Sequence, residues 1–83
     1  MADSLSIKIQ YFAVLREQRG LAEESIATDA ATPGELYAQL RMRHGFTLAP
    51  EMVRAAVTGG FAPMDRRLAA GDTVVFIPPV AGG

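Results

Sequence analysis

The sequence predicts an α+β fold, a mixed sheet with one substantial helix laid across it. Three observations carry this: strand patterns at 4–12 and 73–77, near the two ends of the chain; the signals of one amphipathic helix at 33–44; and short strand-like runs between turn residues in the interval. The chain has 83 residues, 49% hydrophobic and 20% charged, which is the usage of an ordinary globular protein. That length corresponds to one small domain.

Ser4 to Phe12 alternates, with Leu5, Ile7, Ile9 and Tyr11 on one face and Ser6, Lys8 and Gln10 on the other, the period of a half-buried strand. Ala13 to Arg19 shifts to good helix formers and stops at Gly20, so a short helical turn follows. Glu24 to Thr28 offers a weaker second strand, close enough to the first to return antiparallel to it. Thr32 is placed to cap a helix, Pro33 suits its first position, and Glu35 follows the cap by three residues as in a capping box. Leu36, Tyr37 and Leu40 make its apolar stripe, Arg41, Arg43 and His44 suit the negative end of its dipole, and Gly45 stops it, so the helix runs over 33–44.

Met52 to Thr58 reads as a strand, Gly59-Gly60 as the source of positive φ for a tight hairpin, and Phe61-Ala62 as the start of the return. After a loop at 63–67 and a turn at 70–72, Thr73 to Ile77 is dense in β-branched and aromatic residues, the look of a strand buried on both faces. A mixed sheet with its first and last strands side by side and the helix packed diagonally over them is the β-grasp, or ubiquitin-like, arrangement. A ferredoxin-like sandwich needs two full helices, and only one is well signalled. The expected organisation is a β-grasp domain over 1–77 and an extended, flexible C-terminal tail over 78–83.

Composition narrows the chemistry. Eight Lys and Arg against nine Asp and Glu leave a net charge of −1, with the basic residues scattered, so no footprint for a nucleic acid is expected. The absence of cysteine removes disulfides, thiolate metal sites and Cys nucleophiles. There is no run of ~18 apolar residues and no basic leader at Met1 to Leu5, so no membrane association is expected and the location implied is cytoplasmic. Neither a P-loop, a G-x-G-x-x-G nor a paired-histidine motif occurs, so neither a cofactor nor a metal is expected to bind this chain, and His44 reads as a helix-terminal residue. Glu23, Glu24, Asp65 and Asp72 read as solvated strand-entry and turn residues rather than an acid–base pair. Arg16, Arg19, Arg54, Arg66 and Arg67 either keep a small domain soluble or decorate a partner surface. Phe12 and Phe61 fall near strand ends, where an aromatic is either core or an exposed anchor.

The end of the sequence is the most distinctive segment. In Ile77-Pro-Pro-Val-Ala-Gly-Gly83 two prolines stop the strand and favour an extended path, which should project Val80, Ala81, Gly82 and Gly83 away from the body by up to ~20 Å. Gly82 and Gly83, lacking a β-carbon, suit a narrow channel and offer an unhindered terminal carboxylate to an activating reagent. A carboxylate is a poor acyl donor, but its adenylate is a mixed anhydride that sulfur or an amine can attack.

Two stretches, Lys8-Ile-Gln-Tyr-Phe-Ala-Val-Leu-Arg-Glu17 and Ala69-Ala-Gly-Asp-Thr-Val-Val-Phe-Ile-Pro-Pro-Val-Ala-Gly-Gly83, resemble the opening strand and turn and the Pro-Pro-Val-x-Gly-Gly ending of the small, sulfur-carrier subunits of molybdopterin synthase. The related carriers of thiamine synthesis share the Gly-Asp and the terminal Gly-Gly but typically lack Pro-Pro. One departure is local: the family commonly has Val-Asn where this chain has Val57-Thr58.

The resemblance implies a carrier cycle in molybdenum cofactor biosynthesis. A ubiquitin-activating-like adenylyltransferase, using its own ATP and Mg²⁺, adenylates Gly83, a sulfur donor protein converts it to a thiocarboxylate, and the tail enters the large synthase subunit. There it donates sulfur to cyclic pyranopterin monophosphate to build the molybdopterin dithiolene, typically in a heterotetramer of two carriers and two large subunits. The carrier contributes its terminus, and the acid–base groups reside on the large subunit. By position in the family pattern, Phe12, Phe61 and Ile77 are apolar docking contacts, Arg16 a charged one, and Pro78, Pro79, Val80 and Ala81 with Gly82 the threaded tail. The alternatives are a carrier for thiamine or another thiolated metabolite, a ubiquitin-like protein modifier whose Gly83 is joined to a target lysine, and a plain interaction domain.

Overall fold

The computed structural model describes residues 4–79. Strands β1 (Leu5–Tyr11), β2 (Glu23–Thr28), β3 (Arg54–Val57), β4 (Gly60–Ala62) and β5 (Thr73–Ile77) form one sheet in the order β2-β1-β5-β3-β4, with helices α1 (Ala13–Arg19) and α2 (Pro33–His44) and a 3₁₀ turn at Pro50–Met52. β1 and β5 pair in parallel at the centre, and the other neighbours are antiparallel. This is the β-grasp arrangement.

The alternation in β1 does what its period requires: Ile7, Ile9 and Tyr11 are buried while Ser6 and Lys8 face solvent. They pack with Val74 and Phe76 of β5, Ala55 and Val57 of β3, Leu15 of α1 and the α2 stripe Leu36, Tyr37 and Leu40 in one core. Each fully buried large side chain contributes about 1.5–3 kcal/mol of transfer free energy, which is how so short a chain holds together without disulfides. Phe46, just past α2, is a core residue with no periodic signal of its own. It stands edge-on to Tyr11 and stacked on Tyr37, at ring-centroid distances of 5.8 and 5.9 Å.

α2 begins and ends on its expected signals. The Thr32 hydroxyl accepts from the Glu35 amide at 3.2 Å, while the Glu35 carboxylate accepts from the Ala31 amide at 3.4 Å, one residue outside the usual capping box. Gly45 takes the left-handed conformation at φ 72° and returns its N–H to the Arg41 carbonyl. Gln39 ties the helix to the end of β2, accepting from the Thr28 hydroxyl and donating to Asp29, both at 2.9 Å.

Three sequence expectations are corrected. The third strand starts at Arg54, because Pro50 opens a 3₁₀ turn that takes Met52 out of the sheet and leaves its side chain exposed. In the hairpin it is Thr58 and Gly59, at φ 48° and 91°, that carry the positive angles, and Gly60 already pairs with Val57. β5 is buried on one face only: Val74 and Phe76 lie in the core, Phe76 against Tyr37 of α2, while Thr73, Val75 and Ile77 lie half-buried on the open face. A single helical layer cannot cover both sides.

Candidate functional site

The open sheet face is where the candidate residues meet. Ala56 lies opposite Val75 on one side and Phe61 on the other, and Val75 lies opposite Gln10, so one transverse row runs Gln10, Val75, Ala56, Phe61. The next residue of β5 on this face, Ile77, lies opposite Arg54. Tyr11 pairs with Phe76, which brings Phe12 and Ile77 to the same end of the sheet. The question left open by sequence is answered here: Phe12 and Phe61 are 48% and 77% exposed, among the few large apolar side chains in that state. Neither belongs to the core. They mark an apolar face available to a partner.

Two shallow grooves flank that face. One, of about 410 Å³, is lined by Val53, Arg54, Phe61, Pro63 and Met64. The other, of about 200 Å³, is lined by Glu51, Met52, Arg54, Ile77, Pro78 and Pro79, where the chain leaves β5. Met52 and Met64 were missed by sequence reasoning, and the only signal that could have placed Met52 outside the sheet was Pro50. Val80, Ala81, Gly82 and Gly83 lie outside the described residues.

Arg16 is exposed one turn into α1, and α1 is anchored at both ends. At its start Phe12 is extended and Ala13 adopts φ 52°, so the chain turns sharply out of β1 with Phe12 at the corner. At its far end Gln18 and Thr47 exchange two hydrogen bonds, 2.9 and 3.2 Å, and Arg19 forms a fork with Glu24, both arms 2.8 Å. A seven-residue helix is marginal by itself, and these ties hold it against β2 and the loop after α2.

The charged groups behave as structural members. Glu24, expected to be solvated, has its side chain only 15% exposed; it also accepts from the Tyr11 hydroxyl at 2.6 Å. The Arg19 hydrogen bonds hold its carboxyl down at about 2, and burial with the Glu24 carboxylate pushes the Tyr11 phenol above its ordinary range. Asp72 is likewise an anchor: it accepts from the Ala69 amide at 2.8 Å and the Thr58 hydroxyl at 3.0 Å and meets Arg66 at 3.4 Å, contacts that lower its pKa, the Ala69 amide most. His44 closes α2 beside Phe46, and burial followed by the Arg19 charge lowers its pKa. Among the described residues no three His, Asp or Glu side chains are grouped to hold a metal, and no helix is long and apolar enough to cross a membrane.

The ThiS family model matches residues 9–83. The molybdopterin synthase sulfur carrier subunit of Escherichia coli (strain K12) is 34% identical over 80 residues, covering 93% of this chain and 99% of that protein. Among solved structures, a Pyrococcus furiosus protein described as subunit 1 of a molybdopterin converting factor superposes with a TM-score of 0.76 at 31% identity, over 93% of this chain and all of that one. SAMP1 from Haloferax volcanii superposes with a TM-score of 0.73 at 27% identity, over 94% of this chain and 99% of that one.

Proposed function

The chain belongs to the ThiS family, and on that premise we propose that it is the sulfur carrier subunit of a molybdopterin synthase, loaded at Gly83. The observation that carries the proposal is the juxtaposition of the apolar face with the root of the tail. β5, at the centre of the sheet, ends at Ile77 on that face and hands the chain on through Pro78-Pro79 beside it. A partner that covers Phe12, Phe61 and Ile77 thereby receives residues 80–83 at its own reaction centre. The name of the E. coli relative supplies the pathway.

In the proposed cycle an adenylyltransferase joins the Gly83 carboxylate to the α-phosphate of ATP, with pyrophosphate leaving. A persulfide on a donor protein then attacks the acyl carbon and displaces AMP, and a thiol cleaves the resulting acyl disulfide, releasing the Gly83 thiocarboxylate and leaving a disulfide on the donor side. In the large subunit the thiocarboxylate sulfur, softer and more nucleophilic than a carboxylate oxygen, adds to the pterin precursor, and hydrolysis of the acyl group returns the free Gly83 carboxylate. Pro78, Pro79, Val80, Ala81 and Gly82 serve as the threaded tail, and Arg16 is a charged contact at the rim of the docked face. ATP and Mg²⁺ belong to the activating partner.

The test is the intact mass of the chain after incubation with a molybdopterin-pathway adenylyltransferase, ATP and a sulfur donor, followed by fragmentation of the C-terminal peptide. A sulfur-for-oxygen exchange confined to Gly83, absent when Gly83 is deleted, is the expected result. An unchanged mass with an enzyme proven active on another carrier overturns the proposal. The likeness to SAMP1 favours one second reading, a modifier whose activated Gly83 is attacked by a lysine; isopeptide-linked adducts in cell extracts distinguish it.

A further inference from the structure

The charges on the open sheet face are almost all settled within the molecule. Lys8 meets Glu23 at 3.5 Å, and Gln10 donates to the same carboxylate. Ser25, Thr73, Val75, Ala56 and Phe61 carry no charge. Arg54 is the exception: it is exposed on β3 opposite Ile77, and among the described residues its guanidinium makes no ion pair within 4.0 Å and donates no hydrogen bond. Among the described residues it is also the one that lines both grooves, the Phe61 side and the Pro78-Pro79 side. Glu51 lines the second groove but stands beyond ion-pair distance.

This position has an energetic consequence once the face is covered. A partner that buries Phe61, Ile77 and the root of the tail must also remove water from Arg54, which lies between them. Desolvating an unpaired guanidinium is strongly unfavourable, whereas a carboxylate meeting its planar fork with two parallel hydrogen bonds offsets that loss and fixes the register of docking. We infer that the large subunit presents a carboxylate to Arg54, so that this residue is a specificity determinant of the docked complex. The inference rests on the docking proposed above and adds to it the chemistry required of the partner's surface: an Asp or Glu set in an apolar surround, at the mouth that receives the tail.

The experiment is a calorimetric titration of the large synthase subunit with the full chain and its R54A, R54K and R54E variants, at low and high sodium chloride. R54A is expected to weaken binding about 30-fold. R54E should weaken it further and R54K less, because an ammonium keeps the charge and loses the fork. The wild-type affinity should fall with salt more steeply than that of R54A. Melting curves of the variants control for folding, and they should match the wild type because Arg54 holds no partner within the described residues. R54A and R54E both binding within twofold of the wild type overturns the inference and leaves the carrier proposal standing. Failure of the wild-type chain itself to bind overturns both.

Discussion

At the scale of single residues, the side chain that behaves least as its sequence context suggests is Glu24. Its neighbour Glu23 is a surface partner for Lys8, with both side chains about half exposed, and a pair of that kind is worth little. Glu24 lies one residue on, so the strand turns it to the opposite face, against Tyr11 and Arg19. Its carboxyl titrates lower in the folded chain than in the unfolded one, so the stability it supplies is present above pH 4.5 and is lost as the pH falls toward 2. Glu24→Gln should therefore cost about 1.5–3 kcal/mol at neutral pH, and the gap to the wild type should close during acid titration. Denaturant unfolding as a function of pH measures both. A gap that stays constant from neutral pH to pH 2 would show that the charge is not what matters.

At the scale of elements, the β3–β4 hairpin is the least comfortable piece of backbone. With Val57 paired to Gly60, its two-residue loop needs positive φ at both positions, which Asn-Gly meets at least cost. Here a β-branched Thr58 holds φ 48°, kept there by its amide on the Thr73 carbonyl at 2.8 Å and its hydroxyl on Asp72. Thr58→Asn, which restores the Val-Asn commonly found in the resembled family, should stabilise the protein by about 1 kcal/mol, read as a rise of about 4–8 °C in Tm. A fall in Tm would mean that the Asp72 contact outweighs the backbone strain. The boundaries of α1, α2 and β5 were legible because each has a local chemical signal: Gly20, Thr32 with Pro33, Gly45, Pro78. The hairpin register was not, because Gly59-Gly60 offers two ways of placing a two-residue loop, and the choice is made by cross-strand pairing.

At the scale of the whole molecule, the proposed docking face and the core lie on opposite faces of one sheet, so stability and docking are predicted to be separable. The helix-covered face holds the core, and the open face carries Phe61 with little of its surface in contact with the body. Phe61→Asp should therefore change folding stability by no more than about 1 kcal/mol while weakening the proposed large-subunit complex at least tenfold, if Phe61 is the aromatic anchor the proposal makes it. Thermal unfolding and a binding titration on the same preparation test the separation. A collapse of stability would place Phe61 in the structural budget after all.

What the sequence by itself determined was local and periodic: the alternation of β1, the capped 33–44 helix, the β-branched last strand, and the Pro-Pro-Val-Ala-Gly-Gly ending that carries the family resemblance. Tertiary structure alone decided which of the similar residues were used for what. Phe46 is core and Phe61 is surface, Arg19 is paired within the described residues and Arg54 is not, and Glu24 is half-buried beside an exposed Glu23. Hydrophobicity and charge are the same within each pair; the difference lies in which face of the sheet a residue reaches and what stands across from it. Register and layer order settle that, and they arise from contacts distant in sequence, which no short window of residues contains.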